Sequence, residues 1–262
     1  MHDTPDSGSI DHETDHRLAE RIATTTGEML LELRRELDEA GTYYWDMKDE
    51  GDVAAHRFIA DLLRRERPHD AVLSEEAADD RRRLTADRVW IIDPIDGTSE
   101  FAEPPRWDWA VHVALWEKGR LVAGAVAMPG IGRTFTTAPP EPLPERKNPT
   151  PVMVMSRSRN PYSAVVTANS MDCLVARLGS AGAKAMAVLM GEADIYLHDA
   201  GMSQWDVAAP AVVAETAGLH VSHLDGSPIE FNRPGLWMEG ILVCRPELAD
   251  QILRILADNR RR

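Results

Sequence analysis

Apolar positions recur at helical spacing in Leu18, Ile22, Leu30, Leu33 and Leu37, which predicts a long amphipathic helix from about Asp15. Phe58, Ile59, Leu62 and Leu63 predict a second helix over residues 53–67, stopped by Pro68. The period then changes. Ala71-Val72-Leu73 runs into Ser74-Glu75-Glu76, and Val89-Trp90-Ile91-Ile92 reads as a buried strand that halts at Asp93-Pro94-Ile95-Asp96-Gly97. Residues 108–116 and 121–128 form a hairpin around Glu117-Lys118-Gly119-Arg120, with a short third strand at 133–137.

Residues 138–151 are crowded with proline, which excludes a regular element interior and predicts an exposed connection. The chain is thereby divided into an N-terminal lobe (15–137) and a C-terminal lobe (152–262), preceded by a disordered tail over 1–14. In the second lobe strands are expected at 152–155, 195–198, 219–223 and 241–244. Helices are expected at 181–190, 206–217 and 246–259, the last with Pro246 near its first position. Helices and strands mixed throughout imply a layered α/β architecture.

Composition narrows the class. The 262 residues can bury a large core, and 44% hydrophobic with 27% charged residues is ordinary for a soluble enzyme. A net charge of −14 argues against nucleic acid as the main partner. The short basic runs Arg81-Arg82-Arg83 and Arg260-Arg261-Arg262 read as solvated surface. Two cysteines, Cys173 and Cys244, lie in apolar segments without metal-ligand spacing, consistent with inert buried thiols. The acidic, polar N-terminus is unlike a signal peptide, and no apolar run approaches the roughly 20 residues that span a bilayer. A cytoplasmic protein without a membrane partner is expected.

Candidate chemistry sits where the strand ends in acids. Two carboxylates at the mouth of a buried strand repel each other and resist dehydration unless something positive lies between them. Asp93 and Asp96, three apart across Pro94, can face one point, and hard oxygen donors of this kind suit Mg²⁺. Gly97 allows close backbone approach, and a helix starting near Thr98 would offer free N–H groups to an anion. Metal and anion together point to phosphoryl chemistry. A plain acidic turn stays open as an alternative on DPIDG alone. The alternating ligands of a calcium loop and a Walker A loop are both absent, and two residues between the aspartates, rather than one, set the motif apart from the haloacid-dehalogenase phosphatases.

The hexapeptide Asp93-Pro94-Ile95-Asp96-Gly97-Thr98 after an apolar strand resembles the signature of the inositol monophosphatase superfamily. Ser74-Glu75-Glu76 resembles that family's upstream glutamate pair, and Gln204-Trp205-Asp206-Val207-Ala208-Ala209 its late Trp-Asp box. The resemblance implies an αβαβα sandwich of the inositol monophosphatase and fructose-1,6-bisphosphatase type, with two or three Mg²⁺ ions per active site. It implies that Glu75, Asp93, Asp96 and Asp206, with the Ile95 carbonyl, hold the metals. Thr98 and Asp52 would orient the attacking water. The stretch Lys48-Asp49-Glu50-Gly51-Asp52 departs from the family's shorter lead-in, and Asp52 is favoured over Asp49 because Val53-Ala54-Ala55-His56 continues the family's helix.

Two features resemble the 3′(2′),5′-bisphosphate nucleotidases within that superfamily. Glu100-Phe101 follows Thr98-Ser99, and Gly179-Ser180-Ala181-Gly182-Ala183-Lys184 resembles their Gly-Ser-rich loop with a lysine at a helix start. Gly97, Thr98, Ser180 and Lys184 are therefore expected to touch substrate, Lys184 as the cation for a second phosphate. Ser156-Arg157-Ser158-Arg159 is a further candidate phosphate loop. Trp107 and Trp109 read as core anchors and His112 as a packed histidine, while His198 lies close enough before the Trp-Asp box to touch substrate. The resemblance implies hydrolysis of 3′-phosphoadenosine 5′-phosphate, with its sulfated form as a second candidate substrate, in sulfur assimilation. Hydrolysis of another phosphate ester, or nucleotide binding without turnover, remain the rivals, and a homodimer is an open expectation because the family includes monomers and dimers.

Overall fold

The computed structural model describes residues 14–146, 149–199 and 201–260. The expected tail over 1–14 lies, apart from Thr14, outside the described residues. Helix α1 (Asp15–Glu39) begins where the Thr14 hydroxyl accepts from the Arg17 N–H, and it buries Leu18, Ile22, Leu30 and Leu37. Helix α2 (Tyr44–Glu66) starts nine residues before the expected 53. The run 48–52 thus belongs to the helix: Asp49 and Glu50 face solvent, while Met47 and Gly51 form the inner side. Gly51 is needed there, because a Cβ would meet the Phe101 ring at 2.6 Å and Ile95 at 3.0 Å.

Strands β1 (Ala71–Ser74), β2 (Arg88–Asp96), β3 (Ala110–Glu117), β4 (Arg120–Met128) and β5 (Arg133–Thr136) form one sheet in sequence order. Between β2 and β3 lies α3 (Thr98–Phe101), a single turn. The helix expected to begin near Thr98 is therefore four residues long. The second sheet follows the order β10-β12-β8-β6-β7, built from β6 (Val152–Ser156), β7 (Leu174–Leu178), β8 (Ile195–His198), β10 (His220–Ser222) and β12 (Ile241–Cys244). Two short strands, β9 (Met202–Ser203) and β11 (Trp237–Met238), pair separately. Helices α4 (Tyr162–Ser170), α5 (Ala181–Leu189), α6 (Gln204–Thr216) and α7 (Pro246–Arg260) complete the chain. Neither α4 nor β7 was expected from sequence. The weak amphipathicity of α4 and the exposed edge position of β7 leave little periodic signal.

Strand alternation sorts the core into three layers of side chains. Trp90 and Ile92 join α1 and α2, while Val89 and Ile91 join α5, α6 and one face of the second sheet. Met153 and Met155 face α4 and α7. The order is helices, sheet, helices, sheet, helices, as expected. Because α6 lies against β2, β3 and β4 as well as α5, the two halves share a core, with the acid-tipped end of β2 beside α6.

One surface expectation changes. Arg83 is fully buried, its guanidinium held by Asp79 at 2.6 Å and by Asn232 at 2.8 Å, so it is a structural clamp rather than a solvated charge. Arg261 and Arg262 lie outside the described residues. Cys244 is buried and Cys173 half-buried; both are free, and burial pushes their thiols up to about 12 and about 11, which keeps them unreactive. No helix among the described residues is long and apolar enough to cross a membrane.

Candidate active site

Residues three apart on a regular strand point to opposite faces. Asp93 and Asp96 escape this because β2 bulges between them: Asp93 pairs with His112 and Asp96 with Ala110, so three steps along β2 match two along β3. Pro94, which has no N–H to offer the ladder, sits in the bulge. In parallel, β1 pairs Ser74 with Ile92, which delivers Glu75 beside Asp93 at the same end of the sheet. Asp206 arrives from the first turn of α6, where its Oδ2 accepts from the Ser203 N–H at 2.7 Å.

Asp93 is buried, and its carboxyl lies within hydrogen-bonding reach of both Glu75 and Asp206. Burial, then repulsion from Glu75, Asp96 and Asp206, holds it well above the usual carboxylate range. Burial and Asp206 push Glu75 up to about 7, and burial and Asp96 push Asp206 up to about 6. Asp96 is the exception. Burial raises it, but His112, Lys184 and the Ser180 hydroxyl outweigh burial and hold it well below the usual range. Its Oδ2 accepts from Ser180 Oγ and from the Gly182 N–H at 2.6 Å, and His112 Nε2 lies 3.2 Å away.

The residues suit a divalent cation by chemistry: they are hard carboxylate oxygens, and burial and mutual repulsion disfavour the charge of Glu75, Asp93 and Asp206, a cost that a cation would relieve. They are not already gathered for one. Among the described residues, no three acidic, histidine or cysteine side chains stand where they could hold a metal ion.

The repulsion has a consequence for stability. A carboxyl whose folded pKa exceeds its unfolded value penalises the charged form. That penalty is complete above about pH 7, fades through 7 to 6, and is gone near 4. Metal-free protein is therefore expected to gain about 1–3 kcal/mol of stability between pH 8 and pH 5.5, a range discounted because Glu75 is solvent-open. Saturating Mg²⁺ should flatten the gain. Denaturant unfolding with and without EDTA across this range measures it, and a loss of stability on acidification to pH 5.5 would contradict the cluster's electrostatics.

Thr98 stands where β2 ends, after Gly97 at φ +90°, a backbone setting that favours glycine. Its hydroxyl is 3.1 Å from the Ile95 carbonyl and 3.4 Å from Asp52 Oδ1. Gly51 makes this meeting possible by letting α2 close onto Ile95 and Phe101. Burial and Glu76 push Asp52 up to about 7, against the opposing pull of Thr98 and Lys48. A carboxyl near 7 beside a hydroxyl is a proton acceptor at working pH.

A cavity of about 210 Å³ is lined by Asp96, Asp206, Ser156, Ser158, Arg159, Lys184 and His198, among others. Lys184 differs from expectation. It is 3% exposed, its ammonium donates to the Gly179 carbonyl and, at 2.7 Å, to the Ser180 carbonyl, and it lies over the Tyr196 ring. Burial lowers it to about 8 against the pull of Asp96. It supports the loop that holds Asp96 rather than standing open as a free cation. Ser180 likewise is occupied, donating to Asp96 and accepting from the Ala183 N–H at 2.9 Å.

Three participants escaped the sequence reading. His112 touches Asp96 with one ring nitrogen while the other lies 3.3 Å from the Trp205 carbonyl. Its place opposite Asp93 in the hairpin was the available signal. Asp108 accepts from the Gly179 N–H at 2.7 Å and from Arg106, fixing the same loop. Arg34 reaches the Glu100 and Arg106 carbonyls from α1 and stacks on Phe101 and Trp109, for which sequence gave no signal. Trp109 is buried as expected, whereas Trp107 is partly exposed.

An αβαβα sandwich with an acidic strand end facing the first turn of a late helix defines a class, and comparison with known proteins agrees. Residues 11–261 match the model of the inositol monophosphatase family, and the chain belongs to that family. Among curated proteins it is 41% identical over 259 residues to the 3′-phosphoadenosine 5′-phosphate phosphatase of Mycobacterium leprae, covering 94% of each chain. It is 30% identical to the 3′(2′),5′-bisphosphate nucleotidase CysQ of Escherichia coli K12, over 69% of this chain and 77% of that one. The inositol monophosphatase structure from Anabaena superposes with a TM-score of 0.72 at 22% identity, covering 93% and 95% of the two chains, which speaks for the fold.

Proposed function

We propose that this protein is a Mg²⁺-dependent phosphatase that hydrolyses 3′-phosphoadenosine 5′-phosphate at its 3′ position, giving AMP and phosphate, and that also accepts the sulfated nucleotide. One observation carries the reading: a single cavity is lined both by Asp96 and Asp206 of the acid cluster and by Ser156, Ser158 and Arg159. Such a cavity suits a ligand with one phosphate at the acids and a further anionic group beyond it. The name borne by the Mycobacterium leprae relative, matched along 94% of its length, supports the same substrate.

Glu75, Asp93, the Ile95 carbonyl, Asp96 and Asp206 would hold the ions. What Mg²⁺ supplies when bound is positive charge for the transferring phosphoryl group and a more acidic water. The Thr98 hydroxyl accepts a hydrogen bond from the attacking water while donating to Asp52, which takes the proton. Gly97 and the backbone of the following turn leave room for phosphate oxygens. The protein is proposed to act in the cytoplasm, on a small nucleotide rather than on nucleic acid.

Phosphate release from this nucleotide and from inositol 1-phosphate, each with Mg²⁺ and with EDTA, tests the reading. The nucleotide is expected to be favoured at least ~10-fold, about 1.4 kcal/mol of transition-state discrimination, with no release in EDTA. Preference for inositol 1-phosphate would overturn the substrate and keep the acid site.

A further inference from the structure

Three cations stand near the candidate site, and the structure distinguishes them. Lys184 lines the cavity too, but it is buried with its ammonium committed to the Gly179 and Ser180 carbonyls. Arg157 is bound to acids: its Nε and Nη2 donate to Glu100 Oε1 at 3.0 and 2.8 Å, and its Nη1 to Glu103 at 3.1 Å. Arg159, two residues on, lines the same cavity as Asp96 and Asp206. It is exposed, and it makes no hydrogen bond or ion pair with the described residues. Its Nη1 lies 3.2 Å from where a Cβ on Gly201 would stand, so the guanidinium rests over backbone that carries no side chain.

We propose that Arg159 is the specificity-determining residue that receives the substrate's second phosphate, an inference that rests on the function proposed above. A guanidinium is a planar fork of donors matched to two phosphate oxygens, and one that lines a cavity and meets no acceptor among the described residues has its donors turned to a ligand. The Ser156 and Ser158 hydroxyls, 3.4 Å apart, line the cavity beside it.

The loop is held for this purpose. Glu100 is buried and anchors Arg157, while Arg177 donates to the Ser156 carbonyl at 2.8 Å. Arg157 is thus a positioning residue. Glu100, which marks the chain as nucleotidase-like, acts by fixing this loop rather than by touching metal. The ligand class that follows is a nucleotide carrying a phosphate monoester besides the one cleaved. A ligand with a single phosphate would leave Arg159 unpaired.

Arg159→Gln removes the charge and keeps a polar side chain of related length. With Mg²⁺ present, the variant is expected to raise KM for 3′-phosphoadenosine 5′-phosphate about 10- to 100-fold with kcat little changed. Turnover of 3′-AMP, which lacks the second phosphate, should stay within about 2-fold. Calorimetric binding of AMP, which keeps only that phosphate, should weaken by the same factor, and Arg159→Lys should recover part of it. Equal losses on both substrates, or no loss on either, would overturn the assignment of Arg159 alone. A wild-type enzyme that releases phosphate from neither nucleotide would overturn the function itself and this inference with it, whereas one that handles both equally well would overturn this inference alone.

Discussion

Asp93→Asn is expected to lower turnover at least about 10³-fold, ~4 kcal/mol of transition-state stabilisation, while making the metal-free protein more stable. The two effects have one cause. Asp93 is 1% exposed and sits between Glu75 and Asp206, so its negative charge is opposed by burial and by its neighbours together. Asparagine keeps the shape and the oxygen that accepts from the Ile95 N–H at 3.1 Å, yet removes the charge. The folded-state pKa lies above the unfolded one, so at neutral pH the wild-type carboxyl is a net liability, and its removal should stabilise by about 1–3 kcal/mol. For a chain of this size that raises the midpoint by about 2–6 °C in EDTA. With Mg²⁺ the wild-type protein should recover more stability than the variant, because the variant has lost a ligand charge. Thermal unfolding in EDTA and in Mg²⁺, beside phosphate release, measures both effects. A variant less stable than wild type in EDTA would show that Asp93 is held by favourable contacts rather than strained against its neighbours.

Much of this site could be read from the chain because its signals are local. A strand ending in Asp93-Pro94-Ile95-Asp96-Gly97 declares a bulge and a charge conflict within five residues, and the fold then supplies Glu75 and Asp206 as separate motifs. The layering was legible for a similar reason, since Val89 to Ile92 alternates between two cores. What escaped depends on partners distant in sequence. Whether Lys184 is open or buried is set by the Gly179 and Ser180 carbonyls and by Tyr196, and no spacing rule reveals that. The start of α2 was masked because Gly51, a poor helix former, is there for close approach to Phe101. Arg157 and Arg159 look alike in sequence, and what separates them is Glu100 and Glu103, folded in from 57 and 54 positions away.

Gly182→Ala is expected to destabilise the protein by about 2–4 kcal/mol, against the usual gain from placing alanine in a helix. Gly182 is the second residue of α5, and its N–H donates to Asp96. A Cβ there would stand 2.1 Å from His112 Nε2 and 3.1 Å from the Ala110 Cβ. The His112 ring cannot swing aside, since it is fully buried and its other nitrogen faces the Trp205 carbonyl. Either α5 withdraws, leaving a buried carboxylate short of donors at a cost of about 1–3 kcal/mol, or the core strains by a similar amount. Helix propensity returns at most ~1 kcal/mol, so the clash decides the sign. Gly235→Ala is the control: a Cβ there meets nothing within 4 Å, and its effect should stay within about 0.5 kcal/mol. Chemical denaturation of both variants measures the difference. Combining Gly182→Ala with His112→Ala should cost less than the sum of the two, because the second change removes the atom the new methyl group strikes. Additive losses, or a neutral Gly182→Ala, would mean that the Asp96 network tolerates movement of α5 and that the close approach of helix to strand is not what holds Asp96 in place.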